Sequence, residues 1–254
     1  LISIRASFIE SATMSHPQHF QNQHVVITGG SSGIGLCLAQ ALAERGARLT
    51  LLGRDLVKLK NAAAQVNGQV QVASLDVSNE QAVAEFFDGI DRLDHLVTAA
   101  AGTVRGTVQE LEVAHARALF ENKYWGQYHC VKYAASKLSK QGSMVMFSGW
   151  ISRKPMAGVS TLAAVDAAIE ALGRTLALEL APSRVNVVTP GMIDTPLWSA
   201  RLSADEQREH FARIANSLPV GRAGTPQDIA HAVLFLLENG FTTGAVLDVD
   251  GGQR

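Results

Sequence analysis

From residue 24 onward, short β-branched and apolar runs alternate with longer stretches whose apolar positions recur at helical spacing. HVVIT (24–28), RLTLL (48–52), QVQVASL (69–75), HLVTA (95–99), SMVMFS (143–148), RVNVVT (184–189) and AVLDV (245–249) read as seven strands. Between them the pattern predicts helices over 33–45 and 55–66, one following strand three, and a long one reaching about Lys140. An Ala-rich helix at 160–180 and a last one starting at Thr225 complete the series. Strands and helices in strict alternation are the pattern of stacked βαβ units, so the expectation is an α/β fold around a mostly parallel sheet.

Local punctuation sharpens the boundaries. Gly46 stands where a helix C′ residue would, Ser78 with Gln81 spells a capping box, and Thr107 with Glu110 opens the long helical stretch that Gly142 should end. Thr225-Pro-Gln-Asp228 reads as a helix start with Pro in its first turn. The Ala-rich segment 162–180 is apolar on nearly every side apart from Asp166, Glu170, Arg174 and Glu179. A helix covering a sheet needs one apolar stripe; a second stripe implies either contact with another subunit, as in a homodimer or homotetramer, or a deep central position.

Composition narrows the class without naming a chemistry. The 254 residues are 47% hydrophobic and 18% charged, enough for one core, and no linker divides them. A single domain over 22–254 is expected. Residues 1–21 are read as a tail, of which 1–13, preceding Met14, are set aside as upstream of the native start. A net charge of −1 offers no broad field for nucleic acid or an anionic membrane, so a small-molecule partner is expected. No run of 18 apolar residues occurs, and Cys37 and Cys130 sit in apolar helical patterns, which points to a reducing, cytoplasmic setting. His95 and His129 stand alone, and no metal site is implied. The G-x-S-x-G and G-x-x-x-x-G-K-[ST] patterns of serine hydrolases and P-loop proteins are absent.

The first sign of chemistry follows strand one, where Thr28-Gly29-Gly30-Ser31-Ser32-Gly33-Ile34-Gly35 leads into a helix. Glycines let backbone N–H groups approach an anion, and a helix N-terminus adds donors and a favourable dipole for a pyrophosphate. The loop resembles the cofactor turn of the short-chain dehydrogenase/reductase family, T-G-x-x-x-G-I-G, and the resemblance extends over residues 22–253. It implies a doubly wound Rossmann-type fold with a seven-stranded, mostly parallel sheet and helices on both faces. It also implies a dinucleotide held by Gly29, Ser31, Ser32, Gly33, Ile34 and Gly35, by Asp76 and Val77 at the adenine, by Ala100 and Gly102, and by Pro190, Gly191, Ile193 and Thr195 at the nicotinamide. VDGG at 249–252 is similar to the family's C-terminal signature.

The end of strand two chooses between cofactors. An acidic residue there would take the ribose 2′-OH of NAD, whereas Arg54 can pair with the 2′-phosphate of NADP through its planar fork. NADP(H) is the expectation, with Asp55 able to take the acidic role if the turn is shifted.

The resemblance further implies a tetrad of Asn, Ser, Tyr and Lys, and here the chain departs. Aligning Pro155 and Ala163-Ala164-Val165 with the start of the Ala-rich helix puts Gly158 in the Tyr position and Leu162 in the Lys position. Strand five ends in Ser148, one place early, with Gly149 in the Ser position; counting back from Gly126 puts Lys123 in the Asn position. Ala99-Ala100-Ala101-Gly102 replaces the family's Asn-Asn-Ala-Gly. Tyr133 and Lys137, spaced like the family pair, precede strand five and so lie in the wrong helix. The reading is a relocated site of Lys123 and Ser148, with Tyr124 and Thr161 as weaker candidates. Trp198 lies where a substrate lid would begin, or is a lone surface Trp. Two functions stay open: an atypical NADP(H)-dependent oxidoreductase on a carbonyl or alcohol, or a non-catalytic NADP(H)-binding sensor or partner subunit.

Overall fold

The structure, a computed structural model, describes residues 19–100, 102–199 and 202–253. Seven parallel strands form one sheet in the order β3-β2-β1-β4-β5-β6-β7: β1 His24–Thr28, β2 Arg48–Gly53, β3 Gln69–Ser74, β4 Leu93–Thr98, β5 Leu138–Phe147, β6 Arg184–Pro190 and β7 Val246–Val249. Helices α1 (Gly33–Ala43), α2 (Leu56–Ala63), α3 (Glu80–Asp88), α4 (Val113–Phe120), α5 (Gly126–Ala134), α6 (Ser160–Glu179), α7 (Pro196–Ser199), α8 (Ala204–Ser217) and α9 (Pro226–Glu238) make the crossovers. The doubly wound α/β architecture expected from the sequence is present.

Alternation along the strands sorts the core into two layers. In β1, Val25 and Ile27 pack with Leu38 and Leu42 of α1 and Ile229, Val233 and Leu236 of α9. Val26, on the opposite face, joins Val83 and Phe87 of α3, Cys130 of α5 and Val165 and Ile169 of α6. Phe20 is also in the first layer, 1% exposed and edge-on to His95. Packed chain therefore begins before the expected boundary at residue 22, because an aromatic ring there closes the end of the sheet. The assignment of residues 1–13 lies outside the described residues.

Several local expectations change. Helix α1 stops as anticipated, with Ala47 N–H donating to Leu42 O (3.1 Å) and Gly46 N–H to Ala43 O (2.9 Å). The cap of α3, however, is Asn79, whose side chain accepts from Ala82 N–H at 3.1 Å. Ser78 is already engaged: its hydroxyl and N–H both donate to Asp76 Oδ1 (2.7 and 3.0 Å), so capping passes to the next residue. Thr107 and Glu110 bond to each other at 2.7 Å but close only an isolated turn; α4 starts at Val113. The long helix predicted to reach Lys140 is broken by a π turn at Glu121–Trp125 and ends in a 3-10 turn at Ala135–Lys137. Gly142 lies within β5 rather than ending a helix. There the β4–β5 register shifts between Leu93 and His95, and a Cβ on Gly142 would meet Asp94 O and Ser139 O at 2.7 Å.

Candidate active site

At the boundary between β1 and β4 the crossovers change direction, and their carboxyl ends open a crevice of the kind in which α/β sheets bind ligands. Gly29 (φ +72°) and Gly33 (φ +53°) adopt the left-handed conformation that lets the loop turn back over the sheet. A Cβ on Gly29 would stand 2.8 Å from Ala100 N, and one on Gly35 would strike Gly29 O, so the turn admits no side chain at either place. Ser32 is the N-cap of α1 and makes no side-chain capping bond; first-turn N–H groups of an uncapped helix are donors that an anion can take. Across the crevice, Ala100 N–H donates to Thr28 Oγ1 at 3.1 Å. Pro190 pairs with Val249, and Gly191 N–H donates to Val249 O at 3.0 Å. Ile193 bridges to Gly224, and Thr195 stands against Gly33, 3.5 Å from where a Cβ there would be. The loops after β1, β4 and β6 thus meet at one place.

Arg54 is exposed at the end of β2. Its neighbour Asp55 is the N-cap of α2, accepting from Val57 N–H and Lys58 N–H at 3.0 Å each. Both bonds go to Oδ1, while Oδ2 has Lys58 Nζ at 3.9 Å, so the carboxylate holds the helix through one oxygen. At the end of β3, Asp76 is exposed with Oδ1 bonded to Ser78, and Val77 O accepts from His129 Nδ1 at 3.0 Å.

The centre of the crevice is charged and buried. Lys123, on the π turn, is 6% exposed, and its ammonium donates to Asp166 Oδ1 on α6, itself 1% exposed. Gln127 fixes the π turn to the carboxyl ends of the central strands: its amide donates to Lys123 O (3.0 Å) and Phe147 O (2.9 Å), while Thr98 Oγ1 and Phe147 N–H donate to its oxygen at 2.6 and 2.9 Å. Ser148 lies within donor reach of Asp166 O (3.0 Å) and Glu170 Oε1 (3.2 Å). Glu170 also accepts from Ser152 Oγ (2.5 Å) and Arg153 (3.1 Å), and Arg153 reaches on to Asp248 at 2.5 Å. Burial raises the Asp166 carboxyl above the usual carboxylate range; Lys123 pulls it back and Glu170 pushes it further up.

Comparison with known proteins decides the family. A family profile described as enoyl-(acyl carrier protein) reductase matches residues 29–254. A human 3-oxoacyl-[acyl-carrier-protein] reductase is 33% identical over 236 residues, covering 90% of this chain and 96% of the relative. The chain belongs to the short-chain dehydrogenase/reductase family. A solved small-chain dehydrogenase in complex with NADPH superposes with a TM-score of 0.79 at 37% identity, covering 91% of this chain and 98% of the other. The apo structure of a short-chain oxidoreductase from Pseudomonas aeruginosa PAO1, described as containing an atypical catalytic center, superposes at 0.84 with 28% identity, covering 91% and 97%.

Within this short-chain dehydrogenase/reductase, the structure distributes the sequence candidates unevenly. Lys123 and Ser148 come together, but through Asp166 rather than directly. Tyr124 stacks among Phe120, Trp125 and Tyr128, and Thr161 lines an outer groove with Phe120 and Trp125. Gly158 lies in the turn before α6 with φ +78°, its carbonyl accepting from Gly106 N–H, and Leu162 is buried on α6. Tyr133 sits on α5 and donates to Glu80 at 2.7 Å, while Lys137 reaches Asp88 O at 3.4 Å, both on the α3 side of the sheet. Trp198 is no lone surface ring: its Nε1 donates to Ile193 O at 3.1 Å, and it packs on His210 and Phe211 of α8. Sequence reading missed Asp166 and Glu170 as site residues. Their signal was there, as two carboxylates four apart in a helix otherwise apolar on nearly every side; a buried carboxylate requires a partner. Among the described residues, no group of three or more His, Cys, Asp or Glu could hold a metal, and no helix is long and apolar enough to cross a membrane.

Proposed function

We propose that this chain is an NADP(H)-dependent oxidoreductase that interconverts a carbonyl and an alcohol, using a site different from the family's usual four residues. The observation that carries the cofactor choice is Arg54, left exposed at the end of β2 while Asp55 caps α2. Gly29, Ser31, Ser32, Gly33, Ile34 and Gly35 would cradle the pyrophosphate, Arg54 the 2′-phosphate, and Asp76 and Val77 the adenine. Ala100, Gly102, Pro190, Gly191, Ile193 and Thr195 would line the nicotinamide end. When bound, the reduced cofactor supplies the hydride. The chain's own task is then to place the substrate oxygen and move one proton. Lys123 is the group suited to it: an ammonium fixed by Asp166 beside the carboxyl ends of β4 and β5 donates a proton to the oxygen as the carbonyl is reduced, and water restores it. The human 3-oxoacyl reductase relative is consistent with a carbonyl substrate.

Two measurements test this reading. Arg54→Ala should weaken NADPH binding by roughly tenfold or more while leaving NADH nearly unchanged, the size expected for one charge-assisted contact; equal losses would remove the NADP(H) assignment. NADPH consumption against a panel of ketones and aldehydes should show turnover that Lys123→Met abolishes.

A second reading has its own support. Ser148 turns its hydroxyl into Asp166 O and Glu170 rather than toward an open space, and Lys123 is sealed against Asp166. Tight NADPH binding without turnover on any carbonyl would favour a non-catalytic NADP(H)-binding sensor or partner subunit. Under either reading we propose a homodimer or homotetramer, since Phe120, Trp125, Thr161 and Ala164 line an open groove of about 640 Å³ along α4 and α6; light scattering in solution checks it.

A further inference from the structure

The Asp166 carboxylate faces two ways. One oxygen holds the Lys123 ammonium, and the other lies 2.6 Å from the point where a Cβ on Gly149 would stand. Real side chains do not approach so closely, so position 149 cannot carry a serine while Asp166 keeps this pose. Leu162, four residues before Asp166 on α6, shares its helix face and is likewise buried. Leu162 and Asp166 therefore have the four-residue spacing of the family's Tyr and Lys, one turn beyond Gly158 and Leu162. Gly158 is outside the helix, in a left-handed conformation that a tyrosine would rarely adopt. The charges are balanced on the same plan. A lysine at 166 would face the lysine at 123 in a buried space, whereas an aspartate there neutralises it. Glu170, one turn further, is answered by Arg153 and by Arg174 at 3.9 Å, and Arg153 also by Asp248 on β7.

We propose that Lys123, Gly149, Leu162 and Asp166 occupy the four catalytic positions of the family as one interdependent set, in which the cation has moved to the π turn and an anion has taken its place on α6. Gly149 is then the consequence of Asp166, and Leu162 leaves the oxygen of the substrate with Lys123 as its nearest proton source. The set deepens the proposed function, resting on the same crevice as the reaction chamber, but it stands apart from whether the native chain turns over.

Two arms test it. In the chain without cofactor, Gly149→Ser should lower the midpoint of thermal unfolding by several degrees, and the same change in an Asp166→Ala background should cost little; equal costs in both backgrounds would break the link. In the second arm, Lys123→Asn, Gly149→Ser, Leu162→Tyr and Asp166→Lys are combined, and NADPH binding by fluorescence confirms that the crevice is intact. Ketone reduction should rise about a hundredfold over the native chain, the lower range of what a positioned proton donor contributes. The control combination Lys123→Asn, Gly149→Ser, Gly158→Tyr and Leu162→Lys should gain nothing. Gain in the control, or no gain in a first variant that binds NADPH, overturns the proposal. An inert native chain beside an active first variant sustains the set and removes the catalytic reading of the native protein.

Discussion

Lys123 and Asp166 show how one pair can be worth little as a whole and much in its parts. Both side chains are almost fully withdrawn from water, so the attraction between them mostly offsets their loss of hydration. Removing one partner leaves the other buried and uncompensated. Lys123→Met should cost about 3–5 kcal/mol in urea unfolding, and the double variant Lys123→Met/Asp166→Leu should recover most of it. The pH dependence of the single variant carries a definite sign. Burial and Glu170 raise the Asp166 carboxyl, and without Lys123 nothing pulls it back. The folded state then takes up a proton before the unfolded chain does, so Lys123→Met should gain stability as the pH falls toward the ordinary carboxylate range. At this scale Lys123 and Ser148 were singled out from the sequence, and the carboxylates that meet them, Asp166 and Glu170, were not. Lys123 could be picked from the sequence because a cation replaced an expected amide; that its partner is Asp166, 43 residues on, depends on how α6 is rotated about its axis, which no local pattern states.

Among the elements, those with complete local signals formed where expected. Thr225 accepts from Asp228 N–H and Asp228 from Thr225 N–H, with Pro226 in the first turn of α9, and all of this lies within four residues. Thr225→Ala should cost about 1 kcal/mol, read by chemical denaturation. Arg222 and the cap hold the Asp228 carboxyl far below the usual carboxylate range, the side-chain bond to Arg222 being the largest cause. The contribution of Asp228 is accordingly present above the unfolded carboxylate pKa and fades as pH falls through the folded one. Arg222→Ala should remove part of that acid-sensitive stability. The failures belong to elements whose ends are set by a competing partner, near or distant in the chain. Ser78 could not cap α3 because Asp76 had claimed it, and the helix predicted to reach Lys140 breaks at Glu121–Trp125, where Gln127 takes the carbonyl of Lys123 and bonds to β4 and β5 as well. A π turn adds a residue to one helical turn and commonly marks functional sites. Here it carries Lys123.

For the molecule as a whole, the titration of a single buried histidine should be visible. His95 lies 5% exposed beneath Phe20 with Nε2 bonded to Gln23, and its pKa is lowered to about 4, chiefly by burial; Asp94 raises it and Arg184 lowers it further. Below the ordinary imidazole range the unfolded chain binds the proton first. Stability should therefore fall between about pH 6.5 and pH 4, by an amount on the order of 3 kcal/mol, and His95→Gln should flatten that limb in thermal unfolding followed across pH. NADPH at a hundred times its dissociation constant should raise the stability of the folded chain by about 2.7 kcal/mol, a gain that Arg54→Ala diminishes at fixed NADPH. By itself the sequence determined the strands and the glycine turn after the first of them, because periodicity and φ-permissive residues act within a few positions along the chain. The tertiary structure alone decided which charges meet. Asp55 belongs to a helix cap, Ser148 to Glu170, and Lys123 to Asp166 over Gly149, since a buried charge takes its partner from whatever the folded chain brings within hydrogen-bond reach, and that neighbour is set by how helices rotate and dock.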